Sequence, residues 1–142
     1  MKRILVATDG STASNRAIDA AARLAKTCRA TLVIITVGGS ITGAELRRIA
    51  GSEGNLSDTL EAEADEILDQ ARKRAARIGI SDIKLRTGWG DPADTIIEFA
   101  RREKTDVVVV GRRGRGRLSV LLLGSVSQKV TNLAPCLVMV VP

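Results

Sequence analysis

Apolar residues recur along this chain in two alternating rhythms. Ile4-Leu5-Val6-Ala7 is a short continuous run that ends at Thr8-Asp9-Gly10-Ser11, after which Ile18, Ala21, Leu24, Ala25 and Cys28 fall on one face of a helix. The pattern predicts a strand, a turn and an amphipathic helix, with Asp9 or Ser11 as cap and Asp19 four residues before Arg23 on the exposed side. Leu32 to Val37 is again continuously apolar and β-branched, as in a strand covered on both faces. A helix follows, with Leu60, Ala64, Ile67, Leu68, Ala71, Ala75 and Ile78 at helical spacing and Gly79 as its stop. Ile83 to Thr87 alternates apolar with charged, which predicts a strand at a sheet edge. Asp91-Pro92 opens a third helix, with Ala93, Ile96, Ile97 and Ala100 inward. Val107 to Val110 is a fourth strand, Val126, Val130, Leu133 and Ala134 mark a last helix closed by Pro135, and Leu137 to Val141 is a fifth strand.

Strands alternating with helices at this spacing imply right-handed βαβ crossovers, hence an α/β fold with an open parallel sheet and helices on both faces. The stretch from Gly38 to Asn55, with five glycines, is too long for an ordinary connection and reads as a mobile loop, interrupted by a short helical piece over 41–49. At 142 residues, residues 1–142 form a single domain. No apolar run approaches the roughly 18 residues that cross a bilayer, and the first residues do not form a signal-peptide core; the expected location is cytoplasmic and no membrane partner is expected.

Composition removes whole classes of chemistry. With no histidine, Ser-His-Asp and Cys-His nucleophiles and His-ligated zinc are excluded. Cys28 and Cys136 have no metal spacing and read as buried structural thiols. Trp89 and Phe99 are the only aromatics, too few to stack a flavin or a string of bases. Of the formal charge of +6, Arg112, Arg113, Arg115 and Arg117 carry +4, a local anion site rather than a uniformly basic surface.

In a doubly wound sheet, ligands bind beyond the carboxyl ends of the strands where their order reverses, which singles out Asp9, Val37 and Gly111. Gly111-Arg-Arg-Gly114-Arg-Gly116-Arg follows the fourth strand, and Gly124-Ser125 opens the last helix. Glycines let backbone N–H groups converge on an anion, and the helix start adds unpaired donors and the positive end of its dipole. No Walker P-loop is present, and Gly88-x-Gly90-x-x-Ala93 fails as a dinucleotide fingerprint because Asp106, the acidic residue in question, begins a strand instead of ending it.

The spacing Gly111-x2-Gly114-x9-Gly124-Ser125 resembles the nucleotide motif of the universal stress protein family. Ile4 to Ser11, Gly90-Asp91-Pro92-Ala93-Asp94 and Leu122 to Ser127 resemble that family's opening strand and turn, its third-strand exit and the start of its last helix. The resemblance implies five strands in the order 3-2-1-4-5 (adenine nucleotide alpha hydrolase-like), a homodimer, and an ATP site of the motif-bearing subgroup, with AMP or ADP as alternatives and Mg²⁺ beside the phosphates. Carried over by position, Gly111, Gly114, Gly124 and Ser125 hold phosphates, Arg113 stands where several members carry histidine, Asp9 faces the ribose, and the Val37 backbone meets the adenine edge. Ala7, Thr8, Val110 and Val126 line the base pocket, with Ala7 where other members often carry proline. No catalytic residue and no protein metal site is implied. The expected function is a nucleotide-dependent regulatory or protective homodimer, and the downstream protein partner is unknown.

Alternatives stay open at this point. A slow ATPase needs a carboxylate such as Asp9 to position water. Nucleic-acid binding through the arginine-glycine loop lacks aromatics and is the less favoured reading. Asp9 reads equally as a helix cap, and Trp89 either walls a base or rests on neighbouring loops. The fifth strand, Leu137 to Val141, lacks charges and an internal proline and is expected to be an apolar edge that pairs with a second copy.

Overall fold

A computed structural model of the protein describes residues 1–38, 56–113 and 123–142. The expected loop over 38–55, with its helical piece, lies outside them from residue 39 onward, as does the stretch from Gly114 to Leu122.

Strand β1 (Arg3–Ala7) leads through Gly10, at φ 80°, into α1 (Thr12–Cys28). Ser11 is the N-cap, its hydroxyl accepting from Ser14 N at 3.2 Å, and Arg29 ends the helix in the left-handed region at φ 54°. Then come β2 (Thr31–Gly38), α2 (Leu56–Ile78) and β3 (Ile83–Trp89). Gly79 ends α2 at φ 105°, and Lys26 Nζ of α1 donates to the last α2 carbonyl, Ile78 O, at 3.2 Å. Helix α3 (Pro92–Arg102) is capped by Asp91, whose carboxylate accepts from Asp94 N at 2.9 Å, with Pro92 at the first helical position. β4 (Val107–Gly111), α4 (Ser125–Leu133) and β5 (Leu137–Val141) complete the order.

All five strands pair in parallel in the order β3-β2-β1-β4-β5, as the resemblance implied. Side chains along β1 and β4 are buried on both faces of the sheet, and their alternation between the faces splits the core in two. Ile4, Val6, Val107 and Val109 pack under α1 and α2, while Leu5, Val33, Ile35, Val108 and Val110 pack under α3 and α4. β3 lies at one edge, with Ile83 and Leu85 turned to the α1/α2 core and Lys84 and Arg86 exposed on the other face.

Two local expectations need correction. Asp19 relies chiefly on a second helix: Arg74 of α2 grips it with Nε and Nη2 at 2.7 and 2.8 Å, and those hydrogen bonds hold the Asp19 carboxyl below its ordinary range, with the charge of Arg23 on its own helix a smaller contribution in the same direction. Cys28 and Cys136 are half-buried free thiols, not fully buried ones, because each sits where an element ends; burial still pushes the Cys136 thiol up.

Candidate functional site

The strand order reverses at β1: the chain leaves β1 into α1 on one face of the sheet and reaches α4 from β4 on the other. In sheets of this kind ligands bind beyond the carboxyl ends of the strands at such a reversal, which here are the ends of β1 and β4, where the sequence places its candidate residues.

Ala7, Val37, Val110 and Val126 come together there. All four belong to or pack against the α3/α4 core cluster, so they share one face at the carboxyl edge and form an apolar floor. Thr8 does not join them. It is buried, its hydroxyl lies 3.0 Å from Ser14 Oγ and accepts from Gly10 N at 3.2 Å, so the side chain is committed to the start of α1. Asp9 performs a turn function through one oxygen, Oδ1 accepting from Ser11 N at 2.9 Å; Oδ2 makes no hydrogen bond to the described residues.

At the end of β4, Gly111 lies against the first turn of α1. A Cβ built on it would stand 3.0–3.2 Å from the Ala13 carbonyl carbon, its oxygen and its Cβ. Arg112 then clasps two elements with its main chain: its N–H donates to Val141 O of β5 at 2.7 Å, and its carbonyl accepts from Gly124 N at 2.8 Å and from Ser127 Oγ at 2.7 Å at the start of α4. This brings the start of α4 beside the exit of β4, and a Cβ on Gly124 would lie 3.3 Å from Arg113 Cα. Gly124 N–H is thereby consumed inside the protein, so Gly124 seats the helix and is not itself a free donor.

The N-terminus of α4 differs from those of α1 and α3. Ser11 and Asp91 cap the latter two with side-chain oxygens, whereas Gly124 supplies no side-chain cap. The N–H groups of the first turn of α4, beginning with Ser125, have no acceptor among the described residues, and they carry the positive end of the helix dipole. Gly114 lies outside the described residues.

Two contributors were missed by the sequence reading. Ser127 is buried and bonds Arg112 O; its place between Val126 and Val130, on the inward face of the helix, was the available signal. Lys129 bridges α4 to α3, with Nζ 2.7 Å from Asp94 Oδ1 and 3.5 Å from Asp91 Oδ2. The Asp94 carboxylate raises the Lys129 pKa, and the Asp94 backbone N–H lowers that of Asp91. Trp89 is 48% exposed, and its indole ring lies against Gly38 in the space a Cβ there would take. Alternation along β3 puts it on the α1/α2 face, opposite Ala7, Val37, Val110 and Val126. Among the described residues no group of three or more His, Cys, Asp or Glu could hold a metal, and no helix is long and apolar enough to cross a membrane.

The family model for the universal stress protein family matches residues 1–142. The chain belongs to that family. It is 36% identical over 145 residues to universal stress protein YxiE of Bacillus subtilis, covering 98% of this chain and 97% of that one. Among solved structures, a universal stress protein in complex with cAMP is 31% identical, with a TM-score of 0.78 over 99% of this chain and 97% of its own. A family member from Arabidopsis thaliana with AMP bound has a TM-score of 0.70 over 99% and 91% of the two chains; at 22% identity it speaks to the fold alone. This universal stress protein thus shares its Rossmann-like α/β architecture with relatives along the whole chain.

Proposed function

We propose that this universal stress protein binds an adenine nucleotide in the crevice between the ends of β1 and β4, with ATP as its fullest ligand and AMP or ADP as shorter ones, and that it acts as a nucleotide-responsive regulatory homodimer. The observation that carries the reading is the uncapped start of α4, set beside Gly111 at the point where strand order reverses. An anion there meets first-turn N–H groups, the Ser125 hydroxyl and a favourable dipole. Ala7, Val37, Val110 and Val126 supply an apolar surface of the kind a base needs, running from β2 across β1 to β4 and the first turn of α4. A 31% identical relative solved with cAMP supports the adenine class of ligand.

Mg²⁺ fits this site only as a companion of the phosphates. A hard cation wants several oxygens, and the described residues offer Asp9 Oδ2 and no carboxylate cluster. When bound, the ion would neutralise phosphate charge, with Asp9 the one candidate protein ligand.

Mass analysis of nucleotide released from the purified protein tests the reading directly, together with calorimetric titration of AMP, ADP and ATP. Saturable binding of at least one of them is expected. Absence of bound nucleotide together with flat titrations for all three would overturn the assignment.

A further inference from the structure

The α3/α4 core cluster draws on the other four strands and on no residue of β3, so the α3 side of this edge strand is left without a covering helix. A groove of about 490 Å³ opens there, between β3 and α3. Ile35 of β2 and Phe99 of α3, both buried, give it an apolar floor, and Arg86 of β3 and Arg102 of α3, both exposed, flank that floor. None of its lining residues belongs to the candidate nucleotide site.

The charges around the groove are unevenly spent. Three acids line it, and each already has a cation: Asp94 meets Lys129 at 2.7 Å, Glu98 meets Arg101 at 3.1 Å and Glu103 meets Arg3 at 3.3 Å. The two lining cations have no carboxylate among the described residues. Arg102 holds its guanidinium 5.9 Å from the centroid of the Phe99 ring, and Arg86 commits only Nη1, to the Leu85 carbonyl at 2.9 Å. A bare ion would leave the floor wet, and a purely apolar molecule would leave both guanidiniums without an acceptor. We propose that this groove binds an amphipathic organic anion, a small apolar body carrying one carboxylate, with the body on Ile35 and Phe99 and the carboxylate between Arg86 and Arg102. The volume suits such a molecule, since small-molecule sites run from about 300 to 1,000 Å³. The site does not rest on the nucleotide reading.

Phe99 is the only phenylalanine of the chain, so para-fluorophenylalanine incorporated into the whole protein reports on the floor through a single fluorine resonance. Hydrocinnamate, a phenyl ring with a short carboxylate arm, is expected to shift that resonance saturably. Acetate lacks the body and hydrocinnamamide lacks the charge, and each should bind at least about tenfold more weakly. Arg86→Gln and Arg102→Gln should each weaken hydrocinnamate about threefold and together about tenfold, with no effect on the amide. In protein without the fluorine label, the Ile35 methyl resonance should report the same affinity. Saturating AMP should leave hydrocinnamate affinity unchanged. A resonance that hydrocinnamate does not move saturably, an amide that binds as well as the acid, or a double variant with unaltered affinity would overturn the proposal. Competitive displacement by AMP would overturn it too, by making the groove part of the nucleotide site. If AMP does not bind at all, the nucleotide reading fails, and the groove stands or falls on the hydrocinnamate series alone.

Discussion

A Cβ at Gly111 would stand 3.0 Å from the Ala13 carbonyl carbon and 3.1 Å from its oxygen, both main-chain atoms at the start of α1 that cannot swing aside. The packing of β4 against α1 thus favours the first glycine of the motif before any ligand is considered. Gly111→Ala is expected to destabilise the fold by about 1–3 kcal/mol, the range for forcing an extra carbon into a packed contact. Urea unfolding measures it, and a variant as stable as wild type would refute the close approach. Asp19 makes a second prediction at this scale. Its folded pKa is depressed by Arg74, so its contribution is present above the unfolded carboxylate value and fades as pH falls through the lower folded value. Both side chains keep some solvent, which limits the pair to about 1 kcal/mol. A double-mutant cycle of Asp19→Asn with Arg74→Gln should show that coupling near about pH 7 and lose it near about pH 2. Coupling that persists in acid would mean the carboxylate charge is not its source.

The N-terminus of α4 sets stability against binding at the scale of one element. Ser125→Asp places a carboxylate in the first turn of a helix that has no side-chain cap, and it should stabilise the ligand-free protein by about 0.5 kcal/mol through the dipole. The same carboxylate repels phosphate, so ATP affinity should fall more than tenfold. Thermal unfolding and calorimetry read the two effects, and unchanged ATP affinity would remove this helix end from the site. Elements of this kind were largely legible in the sequence, because period-3.6 and continuous apolar runs report burial directly, and Asp91-Pro92 and Gly79 mark helix ends by their backbone chemistry. β2, β3 and β4 each run on, to Gly38, Trp89 and Gly111, because ladder pairing continues through residues that read as stops. What could not be read depends on packing between distant segments. Arg74 lies on another helix from Asp19, the Gly124 N–H is taken by a carbonyl across the 111–124 connection, and the face of Trp89 follows from a strand end two pairs longer than the pattern suggested. Thr8 shows the same limit within the site: the resemblance placed it along the base pocket, and that its hydroxyl pairs with Ser14 could not be read from the sequence.

At the scale of the whole molecule the two edges of the sheet are finished differently. On β3, the Leu32 N–H bond to Asp82 O leaves the main-chain N–H and C=O of Ile83, Leu85 and Thr87 directed away from β2, and that edge is guarded: Lys84 and Arg86 are exposed on it, and Arg86 Nη1 covers the outward Leu85 carbonyl at 2.9 Å. On β5, the bond from Arg112 N to Val141 O turns Leu137, Met139 and Val141 toward β4, leaving the N–H and C=O of Val138 and Val140 directed outward. No residue of β5 is charged, and Leu137 and Met139 are 66% and 36% exposed beside this edge. An antiparallel match of two β5 strands satisfies those groups and closes on itself, so a dimer and not an open filament is expected. The register also selects the variants. Met139→Pro would remove a donor directed at β4 and damage the protomer, whereas Val140→Pro removes an outward donor and leaves the inner ladder in place. Met139→Lys sets two like charges near the two-fold axis on a side chain already in contact with solvent. Both Val140→Pro and Met139→Lys should turn a micromolar dimer into folded monomer by light scattering with circular dichroism as the folding control. A wild-type protein that is already monomeric at that concentration, or two folded variants that remain dimeric, would show that the copies do not meet along β5.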